Sequence, residues 1–386
     1  MSETVARAPK LRQAAAVLLI LTTTASPFSI AISQSLLALT IALWCGILVV
    51  EGRRPRFPAF MIPLAVYAVI TLVSAALSAD PWSSLADCKQ LLLLLIVPLT
   101  YDLMSDALAE PATTIILGGG AVSSAVAIAQ YAFLNYDTLG LRAHSTLGLY
   151  MTFAGVIMLM LCLAVSRVLF SDHARLWPAL LIPALSVALA LTLTRNAWVG
   201  AFAGVGLLLA LKDMRLVGIL PAVAAGFLIL SPTGVVDRFY SIFDPSDPTN
   251  RDRVAMLRAG VDMVQSHPLA GVGPNMLERE YPAYRLPGAI LETPPHLHNV
   301  PMQIAAERGL PALTVWVWFI VALVVGLWRH FRSRPHPWTA AAGLAAVVAM
   351  LSAGLFEYNF GDSEFQMLWL FIVTLPFAAE RTPARA

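Results

Sequence analysis

Apolar residues run along this chain in long blocks, at roughly 13–30, 32–50, 58–78, 88–104, 113–134, 146–170, 176–193, 197–211, 215–231, 310–328, 338–357 and 365–380. Most approach the roughly 17–25 residues that an α-helix needs to cross hydrocarbon. Inside lipid a backbone must satisfy its own hydrogen bonds, so these blocks predict helices and not open strands. The expectation is an all-α polytopic membrane protein with about twelve transmembrane helices, in which Ser26, Pro27 and Ser29 make only a weak break between the first two. The first run continues past any small-residue site into further apolar segments, which predicts no cleaved signal peptide. One stretch breaks the pattern: Ser231 to Leu310 is polar and carries Arg238, Arg251, Arg253, Arg258, Arg279, Arg285 and Arg308. The predicted organisation is one membrane domain over 1–386, with helices one to nine in 13–231, a large loop in 232–309 and helices ten to twelve in 310–380.

Composition agrees, because 58% apolar and 12% charged residues cannot cover the surface of a soluble protein. The net charge of +2 is uninformative beside the distribution of basic residues. With twelve spans both termini share a side, and Arg7, Lys10, Arg12, Arg53, Arg54, Arg56, Arg167, Arg175, Lys212, Arg215, Arg329, Arg332, Arg334, Arg381 and Arg385 fall there. The short connections opposite hold only Lys89, Arg142 and Arg195. Long loops translocate regardless of charge, so the short connections decide: both termini are expected in the cytoplasm and the loop outside it. Cys45, Cys88 and Cys162 lie in or at the ends of spans, leaving no disulfide framework or cysteine metal site in the loop. Membrane lipids are expected partners and nucleic acid is not.

A basic loop on a bilayer scaffold suggests chemistry on an anionic, membrane-anchored substrate. Arg195 occupies the tight connection Thr192-Leu193-Thr194-Arg195-Asn196. A lone arginine at a span end is as readily a snorkelling interface anchor, yet its planar fork also suits a pair of phosphate oxygens. Arg142 and His144 lie in another short connection on the same side. Within the loop, Asn250 is a candidate N-cap for a helix over Arg251 to Gln265, with Val254, Leu257, Val261 and Val264 as its apolar stripe. Arg251 and Arg258 share one face of it and Arg253 projects elsewhere. Each is more readily a solvated or headgroup-facing charge than a phosphate ligand, but three within eight residues favour at least one phosphate contact. Gly271 and Gly273 permit close backbone approach, although a lone GxG is weak evidence for phosphate cradling.

His296, His298 and Asn299 precede Pro301, which is tolerated only in a first helical turn, so they sit at the N-terminus of a helix ending at Gly309. The positive end of that helix disfavours an imidazolium, which makes His298 a candidate general base and the adjacent N–H groups an anion site. Capping is the plain alternative, and metal ligation by His296 and His298 lacks an acidic partner at a recognised spacing.

From Thr192 to Leu313 the chain resembles the bacterial O-antigen ligase and polymerase superfamily. The elements are Thr194-Arg195, Arg253 followed by His267-Pro268-Leu269 and Gly271-Val272-Gly273, and His298-Asn299 followed by Glu307, Gly309 and Leu310. Leu257 departs from the Trp common in relatives and loosens the match at Arg253, keeping Arg251 or Arg258 as substitutes. The resemblance implies a GT-C-type glycosyltransferase of the bacterial inner membrane, with a periplasmic active site and neither metal nor cofactor. It implies undecaprenyl diphosphate-linked O-antigen as donor and lipid A-core as acceptor, completing lipopolysaccharide. It also implies His298, Arg195 and Arg253 as catalytic residues; the reading of the residues themselves adds Arg142, Arg251, Arg258, His296, Asn299, Gly271 and Gly273 as candidate substrate-binding ones. O-antigen polymerase is the alternative within the superfamily. A carrier of an anionic solute is the alternative outside it, with Glu357, Asp362 and Glu364 as its best site; in the ligase reading these three line the cavity.

Overall fold

The computed structural model describes residues 2–287 and 289–379. Among them the only strand-like pairing is an isolated bridge between Asp137 and Arg142, and everything else regular is helical. A helical segment lies on each of the twelve apolar runs. Five segments, Ile30–Glu51, Pro81–Leu103, Asp106–Leu134, Tyr150–Phe170 and Val300–Ser333, are long and apolar enough to cross a membrane. Met61–Ala76, Leu176–Leu191, Met214–Leu230, Trp338–Ala353 and Ser363–Ala378 are apolar but shorter. Two boundaries differ from expectation. The tenth segment begins at Val300, because the loop's last helix runs straight into the apolar run across a single non-helical residue, Gly309. The eleventh ends at Ala353, which leaves Glu357 outside it. The expected end of the last run at residue 380, with Arg381 and Arg385, lies outside the described residues.

Tyr150–Phe170 is the axis of the bundle and is buried almost throughout. An apolar sequence without a polar stripe can be satisfied this way only when helices surround it, here chiefly Leu176–Leu191, Arg195–Lys212 and Trp338–Ala353. Gly200 and Gly204, at the small-xxx-small spacing, let Arg195–Lys212 press between two neighbours; a Cβ on either would collide with Met158 or Cys162 on one side and with the carbonyls of Ala349 or Ala345 on the other. That packing fixes the helix whose first residue is Arg195. Outer segments expose Leu39, Val49, Val69 and Leu230, as lipid-facing surfaces do. At the end away from the loop, Arg12 and Arg53 bond Glu51, and Arg53 also bonds Asp102, so these two arginines are paired.

The polar loop folds on a small core of its own, made by Met256, Ala259, Met263, Leu277, Tyr281, Leu297 and Ala306. Its main helix is Pro248–Ser266, capped by Asp247, whose side chain accepts from the Asn250 N–H. The cap is therefore Asp247 and not Asn250, since Pro248 at the first helical position lets the helix begin earlier. The buried face is also not the expected stripe: Asp252, Met256, Ala259, Gly260 and Met263 point inward while Val254, Leu257 and Val261 are exposed. Valine periodicity misled because small residues and methionines form the contact.

Residues 268–273 dock against the start of the Val300–Ser333 helix through main chain. Val272 N donates to Ala306 O, Gly273 N to Glu307 O and Leu310 N to Pro268 O, each at 2.8–2.9 Å. The hydroxyl of Ser74 bridges Ala270 O and Glu307 O, tying this joint to the membrane bundle. Gly271 and Gly273 belong to it, at φ +68° and +107°, and a Cβ on Gly271 would overlap the backbone of Glu307. Their N–H groups are consumed by His267 and Glu307 carbonyls. The expectation that these glycines bind substrate is corrected accordingly: they permit backbone-to-backbone packing.

Candidate active site

His298 stands one residue before the N-cap of Val300–Ser333, in a left-handed backbone conformation at φ 51°. Asn299 supplies the cap, its Oδ1 accepting from Met302 N at 2.9 Å while its Nδ2 donates to Leu355 O at 3.0 Å. Asn299 thus clamps this helix to the connection after Ala353. The same clamp brings up Glu357. Its Oε2 is 2.9 Å from His298 Nδ1 and its Oε1 3.4 Å from His296 Nε2, and the two imidazole rings meet edge to face with centroids 4.2 Å apart.

Glu357 is almost wholly buried. Burial pushes its carboxyl up, but His298, His296 and Arg253 outweigh that and hold it down at about 2. An ionised carboxylate only accepts, so the hydrogen in the short contact belongs to His298 Nδ1, and the neutral form of the ring then carries its lone pair on Nε2. This fixes the tautomer a general base requires. Burial lowers the His296 pKa, against the pull of Glu357 and with the push of His298 and Arg253, so His296 stays neutral at pH 7. Asp362, facing Thr152 and flanked by Glu357 and Glu364, is pushed well up by burial and those carboxylates.

Beside this trio lies a cluster of guanidiniums. Arg142, Arg195 and Arg238 are buried and Arg253 is partly so. Arg195 is held in the loop: Nη1 donates to Ser241 O and Oγ at 2.8 and 2.9 Å, and Nη2 to Asn250 Oδ1 at 2.9 Å and Asp247 Oδ1 at 3.2 Å. Arg238 reaches the other Asp247 oxygen at 3.6 Å. Arg142 lies over the Tyr150 ring at 4.2 Å and donates to Leu139 O. Burial, then the neighbouring Arg195 and Arg142, lowers the Arg238 pKa to about 10. Arg253 links the two halves: burial lowers its pKa, Glu357 opposes that and Arg195 adds to it. The Nε atoms of Arg238 and Arg253 are buried without a partner. Four guanidiniums thus face two carboxylates, Asp247 and Glu357, a surplus of cationic donors suited to a multiply charged anion.

The remaining expected residues are distributed otherwise. Arg251 and Arg258 are on the exposed face of Pro248–Ser266, turned away from the inward Arg253. His144 turns to Ser145 O, 2.9 Å away, and to the Tyr136 ring. Glu307 is structural, accepting from Asn275 N at 3.0 Å and Arg308 at 2.7 Å. Two residues of the site were not singled out by sequence reasoning. Arg238 was only one basic residue among seven in the loop. Glu357 was read as cavity lining, since nothing in its own segment points to a histidine 59 positions away.

One turn into the bundle from Arg195, Trp198 borders an apolar cavity of about 300 Å³ between the helices, which Leu161, Val165, Ile182, Leu189, Phe202 and Phe227 also line. Its walls suit hydrocarbon.

Residues 178–317 match the protein family described as O-Antigen ligase. The matched stretch contains Arg195, Arg238, Arg253, His296 and His298, and stops before Glu357. No curated protein matches the chain.

Proposed function

We propose, from the match of residues 178–317 to the O-antigen ligase family, that the chain transfers a glycan from undecaprenyl diphosphate to a sugar hydroxyl of lipid A-core. The reaction takes place at the periplasmic face of the bacterial inner membrane, with about twelve helices crossing it and both termini in the cytoplasm. The observation that carries this reading is the adjacency of a buried carboxylate–imidazole pair to four arginines with two unpartnered Nε atoms.

His298 Nε2 accepts the proton of the acceptor hydroxyl, and Glu357 stabilises the imidazolium that forms. The hydroxyl oxygen bonds to the anomeric carbon as the bond from that carbon to the diphosphate oxygen breaks, and the electron pair leaves with the diphosphate. Arg253 and Arg238 receive that charge directly. Arg142 and Arg195 reinforce it, Arg195 also holding the loop in place through Ser241, Asp247 and Asn250. Fixed cations in a water-poor site favour charge that develops late in a reaction. The apolar cavity beside Trp198 takes the first isoprenoid units of the donor. No residue in this scheme calls for a metal ion, and transfer is expected to persist in chelator.

The test is transfer in detergent with purified protein, polyprenyl diphosphate-linked glycan and lipid A-core. Glycan-modified lipid A that disappears in folded His298→Ala and Arg253→Ala supports the reading. Elongation of glycan on the polyprenyl carrier would replace it with a polymerase, and absence of transfer from any such donor would sink both.

A further inference from the structure

The sequence offers no acidic partner near His296 and His298, but the fold supplies one. Glu357 faces both, and one ligand atom from each of the three residues lies within 4.8 Å of the others. Two edges of that triangle, 2.9 and 3.4 Å, bracket the separation of about 3.3 Å expected between nitrogen and oxygen ligands on a tetrahedral zinc ion. The donors are two imidazoles and a carboxylate, the set that transition-metal dications prefer over magnesium or calcium.

We propose that His296, His298 and Glu357 form a site for a transition-metal dication such as zinc, and that its occupancy switches the transferase off. The blocking half rests on the reading of His298 as base; the binding half does not. The chemistry is a change of tautomer. In the metal-free state Nδ1 of His298 donates to Glu357 and Nε2 keeps its lone pair. A metal on Nδ1 takes that lone pair position, and the displaced proton moves to Nε2. The imidazole stays neutral with one hydrogen, now on the atom that must accept the acceptor's proton. Glu357 turns from proton acceptor to metal ligand at the same time, so the base loses its orienting partner as well.

Two features weaken the site and make it reversible. Arg253 adds a like charge beside Glu357 and His296. His296 Nδ1, buried without a partner, would gain a hydrogen with no acceptor for it. The site is therefore weaker than a closed structural zinc centre and sensitive to Arg253.

The experiment uses the full chain in detergent, carried on an affinity tag without histidine. Zinc is titrated by calorimetry, and cobalt(II) serves as a visible-absorption probe of tetrahedral coordination. The expected result is one equivalent bound, with affinity reduced roughly tenfold or more in His296→Ala and in Glu357→Gln, and raised in Arg253→Ala. A merely structural role for the trio would not produce the last change. Binding that is indifferent to His296→Ala and Glu357→Gln places the metal elsewhere, for instance at His336 and Asp172, and overturns the proposal, as does no binding. Zinc bound at this site without loss of transfer overturns the blocking half, and with it the role of His298 as base. Inactivity of the metal-free protein toward every donor overturns the transferase reading and the blocking half with it, and leaves the binding half, since the titration stands apart from transfer.

Discussion

His298 and Glu357, 59 residues apart in the chain, meet through Nδ1 and Oε2 at 2.9 Å. The contact depends on Asn299, which caps one helix while holding the connection that follows another. Glu357→Gln replaces an acceptor by a group that offers its own hydrogens, so the His298 tautomer is no longer fixed. Turnover is expected to fall by about 10²-fold or more, as loss of general base catalysis does. The KM for the lipid-linked donor should stay close to wild type, because the arginines are untouched. Steady-state kinetics of the two parameters separately provide the check; a change confined to KM would contradict the positioning role.

Glu357 also couples stability to pH. Its carboxyl lies at about 2 in the folded protein, below the unfolded value near 4.3. A depressed carboxylate stabilises the fold above its unfolded pKa and loses that contribution as pH falls through the folded one. Glu357→Gln should therefore melt well below wild type at pH 6, with the gap shrinking between about pH 4.3 and 2. Paired thermal scans in detergent at pH 6 and pH 3 measure it, and a gap that does not shrink would argue against an ionised Glu357.

The three arginines of the loop helix are expected to separate. Arg253→Ala removes an inward guanidinium and should cost about ten- to a hundredfold in kcat/KM, the worth of a charge-assisted contact. Arg251→Ala and Arg258→Ala remove exposed ones and should stay within about threefold, as surface changes do. Equal losses in all three would mean that the helix binds substrate by its outer face.

Gly271→Ala should fail at the level of folding. The left-handed conformation alone costs about 1–2 kcal/mol in any L-residue, and the new methyl would overlap the backbone of Glu307. Reduced yield and a lower melting temperature are expected, with any protein that folds binding the donor normally. A variant that is stable but cannot bind donor would restore a phosphate-cradling role to this glycine.

The sequence made the membrane helices and the neighbourhood of the site legible, because apolar runs and the His298-Asn299-Pro301 order are local signals. The helix start at Asn299 and the separation of Arg253 from the face shared by Arg251 and Arg258 could be anticipated from spacing alone. Contacts closed by tertiary packing could not. Glu357 follows an apolar helix with no motif around it, and Arg238 gains significance only because Asp247 and Arg195 fold back beside it. The loop helix was misread on its buried side for a related reason: Met256, Ala259 and Gly260 pack against Met302 and Leu297, partners far along the chain.

The joint between residues 268–273 and 306–310 is made of carbonyls and amides. Such a seam is blind to side-chain chemistry and strict about side-chain volume. The seam admits no insertion and no added methyl, so its two strips of chain must be inherited together, at constant length, as the ruler against which the variable parts are set.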